Sequence, residues 1–100
     1  MITVKLFKTD GKITGVKSSG HSGLAESGND VLCAAVSTLV QTAYLAISDI
    51  YGKADYKKGD GLFEFSVPQG HDAEVIIRAM CLGLQDLSSG YPQNLKLEEA

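Results

Sequence analysis

The chain opens on a two-residue rhythm. Ile2, Val4 and Leu6 alternate with Thr3, Lys5 and Phe7, which predicts a strand with one face turned to a core. Asp10-Gly11 follows, a pair suited to a tight hairpin because both residues tolerate positive φ. Residues 13–18 read as the return strand, with Gly15 marking a bulge. The rhythm then stops. Between residues 18 and 28 serines and glycines dominate, a loop composition that also carries His21.

Beyond the loop the period changes. Asn29 suits an N-cap and Asp30 the first turn of a helix over residues 31–51, which holds no Pro or Gly and stops at Gly52. Val36, Leu39, Val40, Ala43, Tyr44, Ala46, Ile47 and Ile50 cover most of its circumference. A helix so apolar is buried on several sides, and in a small domain that predicts a partner subunit. A short strand over 54–57, a turn at Lys58-Gly59-Asp60-Gly61 and a strand over 62–67 come next, with Phe63, Phe65 and Val67 on one face. A second helix over 72–87 ends before Gly90 and Pro92, and Leu95 and Leu97 alternate in a last strand. The order ββαββαβ predicts one α/β (α+β) domain over residues 1–100, two helices packed on a mainly antiparallel sheet.

Composition narrows the function. The 100 residues carry a net charge of −3, which opposes direct nucleic-acid binding, and no Lys/Arg-rich amphipathic helix points to a membrane surface. The N-terminus lacks the apolar core of a signal peptide, and no apolar run is read as reaching the roughly 20 residues of a membrane span. Two cysteines, Cys33 and Cys81, are too few for a disulfide scaffold. The expected compartment is the cytoplasm, with both thiols reduced.

Chemistry concentrates where the loop meets the first helix. His21 lies on the loop and Cys33 in the first helical turn. A thiol attacks only as thiolate, and an imidazole beside it favours that form far more than a helix dipole does. Backbone N–H groups of the same turn offer an oxyanion site. Taken singly, Cys33 also reads as a small buried apolar residue and His21 as a solvated loop residue. Asp30 either orients His21 or complements the helix dipole. Ser37, one turn after Cys33, either lines the pocket or bonds the carbonyl of Cys33. Cys81, amid Met80, Leu82 and Leu84, reads as core, and His71 as a surface residue near a helix start. A phosphate loop fails because Asn29-Asp30 follows Gly23 and Gly28 where Lys-Ser/Thr is needed. A zinc site fails because no C-x₂-C or H-x₃-H pair is present.

The run Gly20-His21 … Ala25-Glu26 … Gly28-Asn29-Asp30-Val31-Leu32-Cys33-Ala34-Ala35-Val36-Ser37 resembles the signature of the ribosomal-processing cysteine proteases, the Prp family. The resemblance extends along the whole chain. It implies a small α/β homodimer that removes the short N-terminal extension of a bacterial large-subunit ribosomal protein, cleaving after an aromatic residue and needing no cofactor. It matches His21 and Cys33 to the catalytic pair, and Asp30 and Ser37 to supporting positions. Gly20, Ser22, Gly23 and Gly28 then belong to a substrate loop. Ser22 and Leu24 stand where the family carries a small apolar residue and an aromatic one. The competing expectation is a non-catalytic module that docks a ribosomal partner through the apolar first helix or a sheet edge.

Overall fold

The computed structural model describes residues 1–21, 23 and 30–99. Strands β1 (Ile2–Thr9) and β2 (Lys12–Ser19) precede helix α1 (Val31–Tyr51). Strands β3 (Tyr56–Gly59) and β4 (Leu62–Ser66), helix α2 (Glu74–Gly90) and strand β5 (Leu95–Glu99) complete the order. The predicted ββαββαβ arrangement and the α+β class hold.

The Asp10-Gly11 turn has φ of 53° and 79°, the left-handed pair that a tight hairpin requires. The register between β1 and β2 slips from Phe7↔Gly15 to Lys8↔Ile13, which leaves Thr14 as the extra residue of a bulge beside Gly15. Gly15 is tight as well as flexible, since an added Cβ would lie 3.3 Å from the Phe65 carbonyl oxygen. The sheet runs β3-β4-β2-β1-β5. All neighbours are antiparallel except β5, which pairs parallel with β1 because α2 carries the chain back across the sheet.

Both helices cover one sheet face. Ile2, Val4, Val16, Phe63, Phe65 and Leu95 rise from the strands to meet Val36, Val40, Ala43 and Ile47 of α1 and Ile77, Met80 and Leu84 of α2. Steps of three and four residues put these side chains on single helix stripes. The burial of α1 is thus narrower than its composition suggests. Val31 and Leu45 are 79% and 62% exposed, and Ile50 is also exposed. The helix is in fact long and apolar enough to cross a membrane by length and composition, contrary to the expectation from the sequence. Here it lies on the sheet, with Ser37, Gln41 and Asp49 on its other faces.

Several boundaries differ from the sequence expectation. β3 starts at Tyr56 and runs through Lys58 and Gly59, so the turn shrinks to Asp60-Gly61. Pairing Lys58 with Phe63 gains ladder bonds that a wider turn would forgo. Buried Ala54 instead anchors the connection, its N–H donating to Ser48 Oγ at 3.3 Å. α2 begins at Glu74 because the Asp72 carboxylate accepts from the Glu74 N–H at 2.9 Å from outside the helix. It also runs on through Gly90, beyond the predicted end.

Candidate active site

Strand β2 ends by turning sharply at Gly20. Its φ is +92°, its N–H donates to the Gly61 carbonyl at 2.8 Å, and the Met1 carbonyl oxygen packs where a Cβ would stand. Only glycine meets both demands. The turn delivers His21 to the β3–β4 hairpin. There the imidazole rests on Gly61, where an added Cβ would lie 2.7 Å from Nε2. His21 Nε2 is 3.8 Å from Asp60 Oδ1, and the ring is about half exposed.

Asp30 occupies the other side. It is the N-cap of α1, with extended backbone, and its Oδ1 accepts from the Cys33 N–H at 3.0 Å. Asp30 is 5% exposed. Asn29, the cap expected from the sequence, lies outside the described residues, and the capping bond belongs to Asp30. That bond also revises the expected oxyanion site, because the Cys33 N–H is directed at a carboxylate. The earlier N–H groups of the turn, on Val31 and Leu32, have no intrahelical acceptor by helix geometry.

His21 and Cys33 line one cleft of about 210 Å³, floored by Ile2, Val36, Val40 and Phe63. Gly20 contributes to the wall, as do Ser37, Gln41, Lys58 and Asp60. Ser37 Oγ accepts from Gln41 Nε2 at 2.6 Å. Cys33, Ser37 and Gln41 therefore form a polar row at four-residue steps along an otherwise apolar helix. Sequence reasoning found the first two and missed Gln41, although that spacing carried the signal. It also read Lys58 and Asp60 only as turn residues. Gly23 is exposed with φ +79° and, among the described residues, nothing lies within 4 Å of an added Cβ, while Ser22 and Gly28 lie outside the described residues.

The second thiol sits elsewhere. Cys81 and His71 line a hollow of about 270 Å³ near the β1–β2 hairpin and the start of α2. Burial and then Glu99 push the Cys81 thiol above its ordinary range, while Lys8 opposes them. A thiol held protonated is a poor nucleophile. His71 is exposed and stacks on Tyr51 at 4.7 Å between ring centroids.

A helix-start cysteine and a loop histidine in one cleft suit thiol chemistry on a carbonyl. The family model for "Cysteine protease Prp" matches residues 1–96. The chain belongs to the Prp cysteine protease family. The ribosomal processing cysteine protease Prp of Staphylococcus aureus (strain Mu50) is 32% identical over 103 residues, spanning 97% of each chain. Prp of Bacillus subtilis is 29% identical over 97 residues, covering 88% of this chain and 87% of the relative. The fold agrees over the full length. Prp from S. aureus with a covalently linked product peptide superposes with a TM-score of 0.87 at 31% identity, covering 100% of both chains. The same enzyme with a substrate peptide gives 0.84 at 28% identity. SMU.848 from Streptococcus mutans, at 23% identity and a TM-score of 0.75, shares the fold.

Proposed function

We propose that this Prp-family chain is a cytoplasmic cysteine endopeptidase that removes the N-terminal extension of a bacterial large-subunit ribosomal protein, cutting after an aromatic residue. The observation that carries the reading is the shared cleft of Cys33 and His21 in a fold that superposes on a relative holding a covalently linked product peptide.

In this reading His21 takes the Cys33 thiol proton, and Sγ attacks the scissile carbonyl carbon. The C–N bond then breaks and His21 gives its proton to the leaving amine. A thioester joins Cys33 to the cleaved extension. Water, deprotonated by His21, attacks that thioester and restores the thiol. Asp30 fixes the start of α1 and so the position of Cys33. Ser37, held by Gln41, faces the peptide from the next turn. Of the proposed substrate loop, Gly20 and Gly23 are described, while Ser22 and Gly28 lie outside the described residues. No cofactor, nucleic acid or membrane enters the scheme.

The test is incubation with a synthetic peptide spanning the extension and the residues after it, with the products weighed by mass spectrometry. A single cut after the aromatic residue supports the reading. An intact peptide, with the protein instead retaining it as a binding module would, contradicts it.

The scheme also takes the active species as a homodimer. Val31, Ala34, Thr38, Thr42 and Leu45 leave an exposed, uncharged stripe on α1, which a second copy would cover. Sedimentation at micromolar concentration is expected to give twice the monomer mass, and a monomer there removes this part.

A further inference from the structure

We infer that Asp60, on the β3–β4 turn, is the positioning residue for the imidazole of His21, with Gly61 as the seat on which the ring rests. The inference deepens the proposed mechanism and rests on its assignment of His21 as the base.

A half-exposed imidazole can rotate about both side-chain bonds. A base that must meet a thiol in one geometry needs a third group to hold it. Among the described residues, Asp30 and Asp60 bring carboxylates near the pair. Asp30 Oδ1 is engaged with the Cys33 N–H at the buried helix start. Asp60 Oδ1 lies 3.8 Å from His21 Nε2 and lines the cleft.

The seat is equally specific. A Cβ added to Gly61 would fall 2.7 Å from Nε2 and 3.2 Å from both Cδ2 and Cε1. The Nε2 edge of the ring therefore rests on the turn, which leaves Nδ1 as the nitrogen for the thiol. Gly61 also has φ +62°, so a side chain there would strain the backbone as well as displace the ring. The bond from Gly20 N–H to the Gly61 carbonyl, 2.8 Å, ties the residue before the histidine to the turn beneath it. Imidazole, carboxylate and seat are thus tied to one turn.

At 3.8 Å the contact is longer than a direct hydrogen bond. Asp60 is 95% exposed, so water screens its charge and the effect is modest. Its role is to orient the ring toward the thiol.

The test uses the full chain, the extension peptide and iodoacetamide. Asp60→Ala is expected to lower kcat about fivefold with KM unchanged. Asp60→Glu should recover at least half of the loss. The same substitution should slow alkylation of Cys33 in the parent chain and have no effect in a His21→Ala background. The inference is overturned by a parental kcat in Asp60→Ala, by a change confined to KM, or by equal slowing with and without His21. A His21→Ala chain that cleaves at the parental rate would instead remove the base assignment itself.

Discussion

Cys33→Ala is expected to leave no measurable cleavage of the extension peptide, and His21→Ala to lower kcat/KM by about a thousandfold or more. The two losses differ in kind. Without Cys33 no sulfur is present to form the thioester, and Ser37 on the next turn is no substitute, since an unactivated hydroxyl is a far weaker nucleophile than a thiolate. Without His21 the thiol remains but has no group to take its proton at neutral pH and none to protonate the leaving amine. The double variant should therefore be no worse than Cys33→Ala alone, because groups that act as a unit are not additive. Neither change should unfold the chain. His21 is half exposed and Cys33 only partly buried, and the helix cap is made by the backbone N–H of residue 33, which alanine keeps. Melting temperatures close to the parent would separate a chemical loss from a structural one.

Gly20→Ala should damage both fold and activity, although the residue is exposed and carries no chemistry. At φ +92° an L side chain costs about 1–2 kcal/mol, before any contact is considered. The new Cβ would also fall on the Met1 carbonyl oxygen. Met1 cannot swing away freely, because Ile2 is buried and its N–H donates to the Asn94 carbonyl at 2.9 Å. In a domain of 100 residues the strain alone corresponds to a fall of about 4–15 °C in Tm. Relief of the clash must break the bond from Gly20 to Gly61 or shift His21 off its seat, so activity should fall about tenfold or more even below Tm. A Gly20→Ala chain with parental Tm and parental kcat/KM would contradict the view that this turn delivers the histidine.

Much of the fold is legible because its signals are local. The alternation from Ile2 to Leu6, the Asp10-Gly11 turn and the uninterrupted stretch from Val31 to Tyr51 each depend on neighbours in sequence. The pairing of β5 with β1 is not local. Nothing in Leu95 and Leu97 states that they lie parallel to Ile2 and Val4. The sorting of α1 into a buried stripe and an exposed apolar face is hidden for the same reason, since composition alone makes both faces look like core. Cys33 and His21 could be paired in sequence because a single connection joins β2 to α1. Asp60, Gly61 and Lys58 come from a hairpin far along the chain and reach the cleft only through the β2–β4 pairing that sets Ser19 opposite Leu62. Gln41 was within reach of the pattern, as the third polar residue of a four-residue series.

The central claim is that Cys33 is the reactive thiol and that His21 makes it so. The most direct measurement is the rate at which iodoacetamide labels each cysteine at neutral pH, resolved by peptide mass in one sample of the intact chain. Cys81 is the internal reference, a thiol pushed above its ordinary range by burial and Glu99. Cys33 should be labelled at least about tenfold faster than Cys81, and the advantage should vanish in His21→Ala. Equal rates at the two cysteines, or a fast Cys33 that is indifferent to His21→Ala, would contradict the account.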